Sequence, residues 1–108
     1  MEKNKLKKLV TKIFVKHKLS KKHALICSEA LVNAELVGVP THGLSRLKMY
    51  CDRIKKKVIN PKPKIKIKKI SPSITHIDAN DSIGFVAADA GIKKAISNAK
   101  KTGFGLVG

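Results

Sequence analysis

The chain has 108 residues, of which 43% are hydrophobic, and its formal net charge is +17 at pH 7. With one Tyr, three Phe and no Trp, its interior must consist mainly of aliphatic side chains, and its length suits one small domain or part of a larger one. No apolar run is long enough for a membrane span, and the lysine-rich start "MEKNKLKKLV" lacks the apolar segment of a signal peptide. These features predict a cytoplasmic protein without a membrane segment.

Positive charge is spread along the whole chain. The 22 lysines lie in almost every segment, including the alternating tract at residues 64–70, and few aromatic residues stand between them for base stacking. This distribution is typical of solvated lysines, so nucleic acid is not the expected partner. A small basic module that binds RNA or an acidic partner is the alternative.

Two amphipathic helices are predicted at the start of the chain. Apolar residues recur at intervals of three and four from Leu6 to His17, which predicts a helix of about four turns. Ser20 is suited to cap a second helix over residues 21–37, which Gly38 closes. The candidate buried residues of this second helix are Ala24, Cys27, Leu31, Ala34 and Leu36.

A third helix is predicted over residues 42–56, with Thr41 as its N-cap. Its apolar stripe consists of Leu44, Leu47, Cys51 and Ile54. The two cysteines have no CxxC spacing, and a zinc site built from His23, Cys27 and Cys51 would lack a fourth ligand. Both thiols are therefore expected to pack as small apolar groups, and no metal site is predicted.

The pattern changes after Asn60. Isoleucines alternate with lysines at residues 64–70, as in a half-exposed strand, and "ITHID" predicts a short second strand. Residues 85–101 carry Ala and Ile at helical spacing up to Gly103, and "FGLVG" begins a further strand. We therefore predict an α/β chain, with a helical region at residues 1–57 and the beginning of an α/β domain at residues 58–108. Because the last strand leads into nothing that could cover it, we expect this sequence to be truncated, the first part of a longer protein.

Both arginines of the chain, Arg46 and Arg53, lie in the stretch "VPTHGLSRLKMYCDRI". A guanidinium can hold a carboxylate with two parallel hydrogen bonds, which a lysine cannot. On the predicted helix His42 and Arg46 would share one face, with His42 at the end where the helix dipole disfavours an imidazolium. This pair suits a 2-oxo or 2-hydroxy acid, because Arg46 could bind the carboxylate and His42 the neighbouring oxygen. Pairing of Arg46 with Asp52 or Glu35 is the alternative that spacing alone leaves open.

Much of the chain resembles the N-terminal part of the malate/L-lactate dehydrogenase family, which includes sulfolactate and ureidoglycolate dehydrogenases. The resemblance lies in the ordered segments "GVPTHGLSRLKMYCDRI", "INPKP", "IDANDSIGFVAADAGIKKAI" and "AKKTGFGLVG". It implies the start of a fold unrelated to the Rossmann dehydrogenases, in which His42 lines the substrate site and Arg46 holds the substrate carboxylate. It also implies a full-length enzyme, commonly a homodimer, that uses NAD or NADP to interconvert small 2-hydroxy and 2-oxo acids.

The resemblance further implies what this stretch does not contain. The family's acid/base histidine, in an Asn-x-His-Phe-Gly-like element, should follow Gly108, and the cofactor-binding residues should lie further on. The chain alone is therefore expected to be catalytically silent. Lys57 departs from the family pattern, which usually has a helix-ending glycine there, and Phe85 stands in place of Gln or His. The resemblance does not identify the acid substrate or decide between NAD and NADP. An inactive remnant of a dehydrogenase gene is a further alternative.

Overall fold

The structure, a computed structural model, describes residues 2–108. The chain divides into two compact units, one reaching Lys62 and the other comprising Pro63–Gly108. The first unit is helical and the second combines a small sheet with a helix, so the predicted α/β class is confirmed. Among the described residues, no helix has the length and apolar character needed to cross a bilayer.

Helices α1 (Lys3–Lys16), α2 (Lys21–Leu36) and α3 (Leu47–Lys55) form the first unit. The predicted cap of α2 is confirmed, because Ser20 Oγ accepts a 3.2 Å hydrogen bond from the backbone N–H of His23. Gly38 ends this helix with a φ of +82°, in the left-handed region that favours glycine.

The core of the first unit is aliphatic apart from one phenylalanine, as the composition predicts. Its fully buried side chains are Phe14, Ala24, Cys27, Leu31 and Val32, with Val10, Leu19, Cys51, Ile54 and Ile59 around them. Three of the residues predicted to be buried in α2 are among them, whereas Leu36 is 54% exposed because it lies in the last turn of the helix. Both cysteines are free and buried, which confirms the prediction that their thiols pack as apolar groups.

The second unit is built around strands β1 (Lys66–Lys69), β2 (Ile74–Asp78) and β3 (Leu106–Val107), in the order β1-β2-β3. The predicted strand "ITHID" is β2, which pairs with β1 in antiparallel and with β3 in parallel orientation. Helix α4 (Gly84–Thr102) connects the two parallel strands. Such a connection is required because parallel strands cannot be joined by a tight turn.

Helix α4 packs on the sheet through small and polar residues. The ideal Cβ of Gly91 would lie 3.5 Å from the Val107 side chain, an ordinary packing distance, so this face of the helix lies on β3. On the same side, buried Asn98 donates a 2.9 Å hydrogen bond from Nδ2 to the hydroxyl of Thr75 in β2. The isoleucines that mark the helical spacing in the sequence are instead on the exposed side, since Ile92 is 58% and Ile96 49% exposed.

Candidate functional site

The third α-helix begins at Leu47 and not at residue 42 as the sequence predicts. Pro40–His42 and Leu44–Arg46 form two single 3-10 turns, and Gly43 separates them with a φ of −100° and a ψ of −137°. This non-helical backbone at Gly43 interrupts the helical hydrogen bonds. The prediction that His42 and Arg46 share one face of an α-helix is therefore wrong, as is the placement of His42 in the first turn of such a helix.

Contact with helix α2 explains the break. Gly43 is buried, and an ideal Cβ at this position would lie 2.6 Å from Glu35 Oε2, 3.0 Å from Glu35 N and 3.2 Å from Glu35 Cα. Only a glycine allows the chain to cross the end of α2 so closely. Sequence reasoning considered Glu35 only as a possible partner of Arg46 and missed its contact with Gly43, for which the glycine directly after His42 was the one signal.

Arg46 folds back over the first of the two turns. Its Nε–H donates a 2.7 Å hydrogen bond to the carbonyl oxygen of Thr41, and the hydroxyl of Ser45 donates a 2.7 Å bond to the carbonyl oxygen of Pro40. The Thr41 hydroxyl, predicted as a helix cap, is instead 3.0 Å from His42 Nδ1 and forms a hydrogen bond with the ring. Thr41 thus contacts both candidate residues, Arg46 through its backbone and His42 through its side chain.

Arg46 is half-buried as a residue and its hydrogen bond to Thr41 is exposed, as is His42. Within residues 2–108, Arg46 forms no ion pair with a carboxylate. Asp52, one of the proposed alternative partners, lies 2.8 Å from the ammonium of Lys48, and the hydrogen bond from Lys48 lowers the pKa of this carboxyl. The other alternative, Glu35, has a buried oxygen, Oε2, without a hydrogen-bond partner among these residues. Pairing of Arg46 with either carboxylate is therefore not observed.

These features leave the terminal amino groups of Arg46 suited to an external anion. The Nε–H is used by the backbone, which orients the planar group, and the two terminal nitrogens can donate parallel hydrogen bonds to a carboxylate. Arg53, by contrast, is exposed on α3. The turn thus holds the cation of Arg46 through the backbone of Thr41 and leaves the imidazole of His42 accessible.

The connection between β2 and α4 does not fit a dinucleotide. A pyrophosphate is commonly held by a glycine-rich turn at a helix N-terminus. Here Asn80 and Asp81 occupy left-handed conformations, with φ of 53° and 58°, and the Asp78 carboxylate accepts a 3.0 Å hydrogen bond from the Asn80 N–H. Two carboxylates at this turn would repel a phosphate, so no cofactor position is assigned here.

No metal centre is found among the residues that the structure describes. Their His, Cys, Asp and Glu side chains form no group of three or more that could hold an ion.

Comparison with known proteins gives one consistent result. Residues 1–108 match the sequence profile of a family described as malate/L-lactate dehydrogenase. The malate/(S)-sulfolactate dehydrogenase of Methanothermus fervidus is 38% identical over 100 residues, which cover 93% of this chain and 30% of that protein. The ureidoglycolate dehydrogenase (NAD(+)) of Escherichia coli is 33% identical over 90 residues, covering 83% of this chain and 26% of that protein.

The fold gives the same result. The solved structure of malate dehydrogenase from Pyrococcus horikoshii superimposes with a TM-score of 0.95 and 36% identity, covering 99% of this chain and 31% of that one. The chain therefore spans about 30% of the length of the proteins it matches.

Proposed function

Because this chain belongs to the malate/L-lactate dehydrogenase family, we propose that it supplies the substrate-carboxylate site of an NAD(P)-dependent 2-hydroxyacid dehydrogenase. The observation that carries the proposal is the state of Arg46, which is half-buried, held by the Thr41 carbonyl and without a carboxylate partner within residues 2–108. A preorganised guanidinium binds a carboxylate without first having to order its own side chain. Its partner in the proposal is the carboxylate of a small 2-oxo or 2-hydroxy acid.

His42 is assigned the neighbouring oxygen of the same substrate. Its ring is exposed, and its Nδ1 is engaged with the Thr41 hydroxyl, so Nε2 is the nitrogen available to a ligand. A hydrogen bond from or to Nε2 would orient the C2 oxygen while Arg46 fixes the carboxylate. The two contacts together would distinguish a 2-oxo acid from a simple carboxylate.

The rest of the enzyme is part of the same proposal. Residues 1–57 would form the substrate-site region and residues 58–108 the beginning of the cofactor and catalytic domain. The nicotinamide, NAD or NADP, supplies the hydride when bound, and no residue of this chain is assigned to it. The acid/base histidine would come from outside these residues, and the full-length enzyme would be a cytoplasmic homodimer. The share of the relatives' length that the chain covers, about 30%, supports the assignment of the remaining catalytic groups to other residues.

An NMR titration tests the site in the 108-residue chain itself. Oxaloacetate is added while the side-chain N–H signal of Arg46 and the ring signals of His42 are followed. We expect saturable shifts at both residues, about tenfold weaker binding in Arg46→Lys, where one charged hydrogen bond is lost, and unchanged binding in Arg53→Lys. Equal weakening in both variants, or no shift at either residue, would refute the assignment of Arg46.

A chimera tests the enzymatic role. The matching N-terminal residues of the Pyrococcus horikoshii malate dehydrogenase are replaced by this chain, and NADH oxidation by oxaloacetate is measured. We expect the chimera to be active. Arg46→Lys should lower its kcat/KM by about 100-fold or more, whereas Arg53→Lys should leave kcat/KM unchanged. A folded chimera without activity would favour an inactive remnant. The comparisons do not favour the alternative of an RNA-binding module.

A further inference from the structure

The helical unit contains a cleft with a volume of about 960 Å³, separate from the turn that carries His42 and Arg46. Its apolar lining comes from Ile13, Ile54, Ile59 and Pro61, and its polar lining from Lys16, His17, Lys18, Lys55, Lys57 and Asn60. The lining includes four lysines, a histidine and no acidic residue, and neither His42 nor Arg46 belongs to it. Its volume is in the range of small-molecule sites.

Two helices end at this cleft in the same backbone motif. After α1, the N–H of Lys18 donates to Val15 O at 2.9 Å and the N–H of Leu19 to Phe14 O at 3.2 Å. After α3, the N–H of Lys57 donates to Ile54 O at 3.0 Å and the N–H of Val58 to Arg53 O at 3.0 Å. Both patterns are Schellman motifs, which turn the chain through one left-handed residue.

The left-handed residue of both motifs is a lysine. Lys18 has a φ of 75° and Lys57 a φ of 62°, a region in which a side chain is strained. Helices α2 and α4 instead have glycine as the left-handed residue at their ends, Gly38 with a φ of 82° and Gly103 with a φ of 97°. The two lysines that replace glycine therefore coincide with the two helix ends at the cleft.

The cleft is favourable for negative charge although two helix C-termini meet there. Each C-terminus contributes roughly half a negative charge, and part of it is neutralised by the N–H groups of the motif. Four lysine side chains in the lining outweigh this contribution. His17 also belongs to the lining, and its Nδ1–H donates a 2.8 Å hydrogen bond to Ile13 O, which leaves Nε2 as its second polar atom.

We propose that this cleft binds an organic anion, one that carries a phosphate or carboxylate group on an apolar body. The lysines at the helix ends bind the anionic group, and the buried side chains of Ile54 and Ile59 form the surface for the apolar part. Lys18 and Lys57 add one ammonium from each helix end to those of Lys16 and Lys55, at the cost of a strained backbone conformation that glycine would avoid. The strain is thus retained for binding and not for folding.

The test uses 1-naphthyl phosphate, titrated into the 108-residue chain and followed by its fluorescence and by the NMR signals of His17. We expect saturable binding that is tighter than that of inorganic phosphate or of neutral 1-naphthol. A parallel titration with 1-naphthoate distinguishes a phosphate site from a carboxylate site. Binding of inorganic phosphate as tight as that of the naphthyl compound would show that the isoleucines take no part and would overturn the proposal.

Two variants separate binding from folding. Lys18→Gly/Lys57→Gly removes two cations and relieves both strained positions, so we expect a higher melting temperature together with binding weakened about tenfold or more, as for a lost charged hydrogen bond. Lys56→Gly is the matched control, because Lys56 is adjacent and exposed but does not line the cleft. Unchanged binding in the double variant, or equal weakening in Lys56→Gly, would overturn the proposal.

Discussion

The Nε–H of Arg46 and the carbonyl oxygen of Thr41 are 2.7 Å apart, and this hydrogen bond ties the arginine to the residue before His42. The bond joins the two 3-10 turns across Gly43, where the helical backbone bonds are interrupted. It therefore has a structural effect that is separate from any ligand.

Replacing Arg46 by methionine should expose that effect. The apolar side chain has a similar length and leaves the Thr41 carbonyl without its donor, so the free energy of unfolding should fall by about 0.5–1.5 kcal/mol. Urea denaturation measures the change. Arg53→Met is the control, since this exposed residue should contribute less than about 0.5 kcal/mol. An Arg46→Met variant as stable as the wild type would show that the turn does not depend on the bond.

Gly43→Ala should be destabilising because of the contact with α2. The added Cβ would lie 2.6 Å from Glu35 Oε2 and 3.0 Å from Glu35 N, so helix and turn must separate, at a cost of about 1–3 kcal/mol. Adding Glu35→Ala should recover only part of the loss, because it removes the carboxylate and leaves the backbone atoms. The control is Gly84→Ala, where the new Cβ meets nothing within 4 Å and should be neutral or slightly stabilising. Full recovery in the double variant would assign the whole effect to the side chain of Glu35.

Cys27 should be unreactive in the folded protein. Burial raises the pKa of its thiol to about 12. Burial is also the main reason why the pKa of the Cys51 thiol is raised. A thiol reagent at pH 8 should therefore label Cys27 only after urea is added.

The same shift gives a pH dependence. A folded pKa above the ordinary value of 9.0 means that the unfolded chain loses its proton first. The stability that Cys27 contributes is fully present below pH 9 and is lost as the pH rises towards 12. The loss should be smaller in Cys27→Ala, in which the remaining pH dependence comes from other groups. Rapid labelling of Cys27 at pH 8 without urea would contradict its burial.

Local signals in the sequence were sufficient for most elements of the fold. Ser20 marks the start of a helix because its side chain accepts a hydrogen bond from the backbone of the first turn. Gly38 and Gly103 mark helix ends because glycine adopts the left-handed conformation without strain. The break at Gly43 could not be predicted, because it depends on the approach of a separate helix at Glu35. For the same reason the exposed side of α4 was not predicted, since the packing of its face around Gly91 depends on β3, which is distant in sequence from the start of the helix.

In the candidate site too, some features could be predicted from the sequence and others could not. The scarcity of arginine in a lysine-rich chain drew attention to the stretch that contains Arg46 and Arg53, and the family resemblance selected Arg46. The roles of His42 and Arg46 in binding substrate stay predictions. The bond between Arg46 and Thr41 could not be predicted from spacing, because an α-helix over residues 42–56 would have placed the guanidinium away from that carbonyl.

The parallel pairing of β2 with β3 has a consequence for how the chain folds. The whole of α4 lies between Ile74 and Leu106 in sequence, so their pairing closes a long loop before it gains any hydrogen bonds. Helices α1 and α2, in contrast, are neighbours in sequence and pack through a short connection. The helical unit should therefore become ordered quickly, whereas the edge of the sheet at β3 is the last part of the second unit to be fixed.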